Sequence, residues 1–254
     1  MHPVKVRNIT IGEGSPKICV PIVGVTAEEI KKAAEEILKI GADVIEWRAD
    51  WYEDVFDFDK VEETVTELRK VIGDMVLLFT FRTAKEGGEK AIDEETYVAL
   101  NERVAKSGQV DLIDVEAFFG DGIVTKIIET AHAQGVKVIA SNHDFRQTPP
   151  EEELIKRMQK MQDLGADIPK IAVMPQTKSD ILTLLSATEK MAGKYAKGPI
   201  ITMSMGGPGV ISRLCGEIFG SALTFGAVGK TSAPGQMEVK DLKIVLELLH
   251  KSIS

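Results

Sequence analysis

The chain predicts an α/β fold, a closed (β/α)8 TIM barrel formed as one domain over residues 1–254. Three observations carry that expectation. Eight short apolar runs recur along the 254 residues, and a helical pattern separates each from the next. Their spacing, roughly 25–35 residues, suits a strand, a helix and their loops. No Gly-x-Gly-x-x-Gly follows the first run, so a doubly wound open sheet is the weaker alternative.

The strands are expected, in order, over 17–24 (KICVPIVG), 43–50 (DVIEWRAD), 75–81 (MVLLFTF), 112–117 (LIDVEA), 136–143 (VKVIASNH), 168–174 (IPKIAVM), 199–205 (PIITMSM) and 223–228 (LTFGAV). Thr26 and Glu29 have the spacing of a capping box and start the first helix. An amphipathic stretch over 59–71 follows the second strand, and a last helix runs over about 238–250. Apolar strands alternating with amphipathic helices imply a parallel sheet. The segment before Lys17 alternates weakly and predicts a short N-terminal β-hairpin closing the barrel floor.

Hydrophobic residues make up 44% and charged residues 28%, an ordinary globular balance. The first residues are charged and lack the apolar core of a secretory signal. No uninterrupted apolar stretch approaches the ~18 residues of a membrane span. Cys19 and Cys215 have no paired spacing, so a reduced, cytoplasmic setting is expected. A net charge of −8 argues against nucleic acid and anionic membranes as partners.

Side chains two apart on a strand share a face. Glu46 and Arg48, Thr80 and Arg82, Asp114 and Glu116, Ser141 and His143, Lys170 and Ala172, and Met203 and Met205 form one such set. The alternate positions are Ile45, Trp47, Phe79, Phe81, Ile113, Val115, Asn142, Ile171 and Val173, mostly large apolar groups suited to packing beneath outer helices. The polar set therefore points inward, toward the carboxyl ends of the strands where barrels carry their sites. Charges there are costly unless paired. Glu46, Asp114 and Glu116 are expected to pair with Arg48, Arg82 and Lys170, and Asp114 and Glu116 read as a structural ionic core.

Loops add to this end. Segment 83–89 (TAKEGGE) brings Glu86 near the mouth as a flexible loop. Residues 206–209 (GGPG) lead into a helix carrying Arg213, and 229–236 (GKTSAPGQ) read as a lid. Its Gly-Lys-Thr is not a nucleotide loop, because Thr224 stands where the first glycine is required. The four histidines lack paired ligand spacing and the carboxylates lie beside competing arginines, so no metal site is expected.

Lys170 and His143 carry the chemistry. Singly, a strand-capping lysine and a satisfied core histidine would be ordinary. Their matching positions in successive units favour a joint role. An amine among apolar groups and guanidinium ions sheds its proton more readily and can form an imine with a carbonyl. A protonated imine acidifies the neighbouring C–H, and His143 is placed to take that proton. If a hydroxyl sits one carbon further on, His143 can protonate it as it leaves. Glu86 is suited to orient His143. Arg48, Arg82, Arg213 and Lys170 favour a small anion, most simply a carboxylate. A class I aldolase and a non-catalytic carboxylate-binding barrel are the alternatives.

Six segments, Glu46-Trp47-Arg48, 79–88 (FTFRTAKEGG), 141–145 (SNHDF), 169–175 (PKIAVMP), Ile211-Ser212-Arg213 and 232–236 (SAPGQ), resemble type I 3-dehydroquinate dehydratases of the shikimate pathway, nearly end to end and in the same order. The resemblance implies a (β/α)8 lyase without metal or organic cofactor that eliminates water from 3-dehydroquinate in the syn sense. It implies Lys170 as the imine lysine, His143 as general acid and base, and Glu86 as its partner. Arg213, Ser232 and Gln236 would bind the substrate carboxylate. Glu46, Arg48 and Arg82 would bind ring hydroxyls, and Met203, Met205 and Phe225 would line the apolar side. It also implies a homodimer. Gly206-Gly207-Pro208 departs from the Ser-Lys-type pair of many relatives, in the loop that presents Arg213.

Overall fold

The computed structural model describes residues 2–229 and 232–253. An antiparallel hairpin of β1 (Val4–Val6) and β2 (Ile9–Ile11) comes first, turning at Arg7 and Asn8. Then come β3 (Lys17–Ile22), β4 (Val44–Arg48), β5 (Val76–Thr80), β6 (Leu112–Glu116), β7 (Lys137–Asp144), β8 (Ile168–Val173), β9 (Ile201–Ser204) and β10 (Leu223–Ala227). These pair in parallel from β3 through β9, and β10 pairs with β3. The last gap, between β9 and β10, carries one parallel bridge, Ile200 to Ser221. There the Ala222 N–H donates to the Ile200 carbonyl at 2.8 Å. The Thr202 N–H donates to the Ser221 hydroxyl at 3.0 Å, a side-chain oxygen standing in for a ladder carbonyl. The (β/α)8 expectation therefore holds, with an additional short strand, β11 (Met237–Glu238), beside β10.

The helices are α1 (Ala27–Ile40), α2 (Phe58–Ile72), α3 (Glu94–Lys106), α4 (Asp121–Ala133), α5 (Glu151–Asp163), α6 (Lys178–Lys190), the short α7 (Val210–Leu214) and α8 (Gly216–Phe219), and α9 (Val239–Ile253). In α1 the buried Ile30, Ala34 and Ile37 recur at helical spacing and face the sheet. The Thr26 hydroxyl accepts the Glu29 N–H at 3.3 Å, as the capping box requires. The Glu29 carboxylate returns to Val25 instead of Thr26, at 2.8 Å, so only half of the expected box forms. A complete box, Thr177 with Asp180, starts α6.

Alternation along the strands builds two separate apolar layers. Ile45, Trp47, Phe79, Phe81, Ile113 and Val115 pack outward against the helices. Cys19, Val44, Val76, Leu112, Ile168 and Ile201 pack inside the ring together with Val6 and Ile11 of the hairpin. The hairpin thus closes the floor. Truncating a side chain such as Leu78, fully buried in this inner layer, would cost about 2–5 kcal/mol. Moving up each strand in steps of two, apolar gives way to polar: Val44 to Glu46 to Arg48, Leu112 to Asp114 to Glu116, Ile139 to Ser141 to His143, Ile168 to Lys170. The floor supplies stability, and the polar upper layers rest on it.

Candidate active site

Lys170 sits in β8 between Ser141 of β7 and Ile201 of β9, and only 3% of it is exposed. Its Nζ donates to Asp114 Oδ2 at 3.0 Å and lies 4.7 Å from the centre of the Phe225 ring. The pairing of Lys170 with an inward carboxylate, expected from the sequence, is made by Asp114. Burial by itself would raise the Asp114 carboxyl, but Arg82 and Lys170 outweigh it and hold the group well below the usual range. Asp114 Oδ1 also accepts from the Ser141 hydroxyl at 2.5 Å and from Arg82 at 2.6 Å.

Arg82 is the hub of the ionic layer. Besides Asp114 it donates to Glu116 at 3.1 Å and to the Ser141 hydroxyl at 3.0 Å, and lies 3.7 Å from Glu86. Glu116 also accepts the N–H and hydroxyl of Thr83, both at 2.8 Å. The expected pairing needs correction for β4. The Arg48 fork closes on Asp50 with two bonds of 2.8 Å, and Glu46 accepts the Thr80 hydroxyl at 2.8 Å. Asp50, fully buried and passed over in the sequence, also accepts the N–H groups of Arg82 at 3.4 Å and Glu89 at 3.1 Å. Its place two residues beyond Arg48 was the available signal.

The segment expected as a flexible loop is a compact turn. Ala84–Glu86 forms one turn of 3-10 helix that ends at Gly87, where φ is +83°. A Cβ on Gly88 would lie 1.8 Å from the Arg82 carbonyl oxygen, so the return path admits only glycine. The turn delivers Glu86 to His143 at the end of β7. Glu86 Oε2 accepts from both the backbone N–H and Nδ1 of His143, each at 2.9 Å, while Oε1 accepts from the Asn142 amide at 3.1 Å. The network assigns the ring proton to Nδ1 and leaves Nε2 free to act as a base. Burial pushes the Glu86 carboxyl up to about 7, against the pull of Arg82. Burial, reinforced by Arg82 and Lys170, pushes His143 well below its ordinary value, so the imidazole is neutral. Phe145, also passed over, stacks on His143 with centroids 6.4 Å apart.

Above these groups lies a cavity lined by every residue to which the resemblance gives a role: Lys170, His143, Glu86, Glu46, Arg48, Arg82, Met203, Met205, Arg213, Phe225, Ser232 and Gln236. Phe145, Gly87, Ala172 and Ala233 complete the lining. Met203, Met205 and Phe225 make its apolar side. Arg213 is 2% exposed and faces no carboxylate among the described residues. It donates to the Pro234 carbonyl at 3.1 Å and approaches the Met203 sulfur at 3.5 Å, while its Nε has no partner among the described residues. Burial pushes its guanidinium down to about 10.

The Gly206-Gly207-Pro208 departure folds into a 3-10 turn, Gly207–Gly209, that runs directly into α7. Gly206, at φ +72°, donates its N–H to Pro234 at 3.2 Å, and the Ser212 hydroxyl donates to Gly209 at 2.7 Å. Ser232 and Gln236 bond to each other, N–H to Oε1 at 2.9 Å and Nε2 to Oγ at 3.0 Å. The expected lid thus packs on the Arg213 loop; its residues Lys230 and Thr231 lie outside the described residues.

A polar layer facing a cavity at the carboxyl ends of the strands makes this an enzyme of the (β/α)8 barrel class. The family model described as type I 3-dehydroquinase matches residues 18–253, and the chain belongs to that family. A curated 3-dehydroquinate dehydratase of Clostridioides difficile (strain 630) is 57% identical over 251 residues, covering 99% of this chain and 98% of its own length. Its counterpart in Listeria welshimeri is 56% identical over 251 residues, covering 99% of both. The crystal structure of the Clostridium difficile type I enzyme with covalently modified comenic acid matches with a TM-score of 0.97 at 56% identity, over 99% of both chains. The 3-dehydroquinate dehydratase of Geobacillus kaustophilus matches with a TM-score of 0.96 at 39% identity, over 98% of this chain and 97% of that one.

Proposed function

We propose that the protein eliminates water from 3-dehydroquinate to give 3-dehydroshikimate, through an imine on Lys170. The observation that carries this is the placement of Lys170 and His143 on adjacent strands, facing one cavity, with His143 backed by Glu86. Lys170 attacks the substrate ketone as the neutral amine; the adduct takes up one proton from solvent, given back on the final hydrolysis, and loses water to leave a protonated imine. The imine acts as an electron sink for the adjacent C–H bond. His143 Nε2 removes that proton, giving an enamine. The enamine electrons then expel the hydroxyl on the next carbon, which departs as water with the proton from His143. Hydrolysis returns the ketone product and the amine, so one water is lost overall. One imidazole serves both proton transfers, which accounts for a syn course.

Arg213 has a donor to spare and no charged partner among the described residues, which suits it to the substrate carboxylate, with Ser232 and Gln236 closing over it. Glu46 and Arg48 are suited to the ring hydroxyls. Arg82, with its donors engaged by Asp114, Glu116 and Ser141, holds the ionic layer in place. The covalently modified comenic acid in the solved Clostridium difficile relative supports a covalent step. The route needs no metal or organic cofactor. A class I aldolase would use 206–209 to cradle phosphate, but the N–H groups of Gly206 and Gly209 are engaged within the protein. The same reading takes the enzyme as a one-domain, cytoplasmic homodimer. Two free thiols support a reducing setting, and Ile244 and Leu248, exposed one turn apart on α9, offer an apolar face for self-association.

Borohydride reduction in the presence of 3-dehydroquinate tests the proposal. Mass spectrometry is expected to find the ligand on Lys170, and Lys170→Ala to give neither adduct nor turnover. His143→Ala is expected to form the adduct while kcat falls roughly 10²–10⁴-fold. An adduct in Lys170→Ala, or normal turnover in His143→Ala, would overturn the assignment.

A further inference from the structure

Asn142 lies on the outer face of β7, where the alternation of the strand calls for an apolar group packed under a helix. Its amide instead bonds on both sides. Nδ2 donates to Glu86 Oε1 at 3.1 Å, and Oδ1 accepts from Arg157 of α5 at 2.9 Å. Arg157 is itself fixed by Glu153 at 2.8 Å and by the Phe118 ring, 5.8 Å from its guanidinium carbon. A guanidinium can only donate, so Arg157 dictates which end of the amide it meets. The carboxamide oxygen is held outward and the NH2 inward, toward the carboxylate. Glu86 is then gripped at both oxygens: Oε1 by Asn142, and Oε2 by the N–H and Nδ1 of His143.

We propose that Asn142 and Arg157 are positioning residues for the reaction: Arg157 orients the Asn142 amide, and the amide holds Glu86 ionised and turned toward His143. The proposal rests on the Glu86–His143 pair acting as described above. The charged groups around Glu86 set its balance. Arg82 on its own segment favours the carboxylate, and Glu116 from β6 opposes it. His143 lies against it from β7, with Lys170 of β8 and Asp114 of β6 beyond the imidazole. On the outer side, Arg157 and Glu153 of α5 stand behind Asn142. With burial pushing Glu86 upward, the Asn142 hydrogen bond opposes the shift. Removing that donor makes the carboxyl take up its proton at higher pH, where it no longer accepts from Nδ1.

The test compares pH profiles of kcat in Asn142→Leu, Arg157→Met and Arg157→Lys. Asn142→Leu keeps the branched shape of the side chain and removes the donor. It is expected to lower kcat roughly tenfold near neutral pH and move the acid limb about one pH unit higher, with KM nearly unchanged. Arg157→Met keeps the packing on Phe118 and is expected to shift kcat and the limb in the same direction by less. Arg157→Lys is expected to recover most of the loss. The double variant is expected to be no worse than Asn142→Leu alone, because Arg157 acts through Asn142. Should Asn142→Leu fail to fold, the two Arg157 variants carry the same pH test. Wild-type profiles in the Asn142 and Arg157 variants, with Glu86→Gln impaired, would overturn this proposal alone. A wild-type profile in Glu86→Gln would overturn the Glu86–His143 reading and this proposal with it.

Discussion

Asp114 Oδ2 lies 3.0 Å from Lys170 Nζ, and the other oxygen of the same carboxylate lies 2.6 Å from Arg82. One carboxylate thus balances two cations inside the barrel, and none of the three side chains is more than 4% exposed. Such a group is placed by the pairing of four strands at once. Thr80 of β5 pairs with Asp114 of β6, and Ser141 of β7 pairs with Lys170 of β8, which brings Asp114, Arg82 and Lys170 to neighbouring heights.

Removing that charge leaves two buried cations sharing fewer anions. Asp114→Asn, close in volume, is expected to lower the unfolding free energy by about 3–5 kcal/mol, the usual cost of breaking a buried ion pair from one side. Urea titration at pH 7 measures it. A loss below about 1 kcal/mol would show that Glu116 and Glu86 already neutralise Arg82, and that the Asp114 contact adds little.

Arg213 presents the opposite situation, a buried cation with no carboxylate against it among the described residues. Arg213→Met keeps an unbranched apolar stem and removes the donors. Its expected effect is a KM raised about a hundredfold, the loss of roughly 3 kcal/mol of hydrogen bonding to a charged group, with a smaller change in kcat. Steady-state kinetics with 3-dehydroquinate separate the two. An unchanged KM would remove Arg213 from carboxylate binding.

Glu86 gives a prediction in the pH dependence of stability. Its folded value, about 7, lies above the ordinary 4.5. Between those values the native state binds more proton than the unfolded chain. Its contribution to stability is therefore complete below about pH 4.5 and is lost as the pH rises through 7, a span worth about 3 kcal/mol. The difference in unfolding free energy between the wild type and Glu86→Gln is expected to move against the wild type by that order from pH 4.5 to 7.5. Denaturant titrations at both values check it. A difference that stays flat, or moves in favour of the wild type, would mean that the carboxyl remains ionised across the range.

The sequence by itself determined the barrel, its floor and the membership of the cavity. Alternation at period two separates Glu46, Arg48 and Lys170 from Ile45, Trp47 and Ile171, and alternation needs no partner to be read. Apolar runs and the helical patterns between them marked off the eight units for the same reason, since both are local.

Only the tertiary structure decided who pairs with whom. Period two tells which face a side chain takes, but strand register sets its height, and register depends on neighbours distant in sequence. Arg48 therefore finds Asp50, while Arg82 reaches Asp114, Glu116 and Ser141. Asn142 has the parity of a packing position and gains its polar role because the 83–89 turn folds back over the end of β7. That return path depends on Gly87 and Gly88 fitting against Phe145 and the Arg82 carbonyl, a fit that exists only once the strands are side by side.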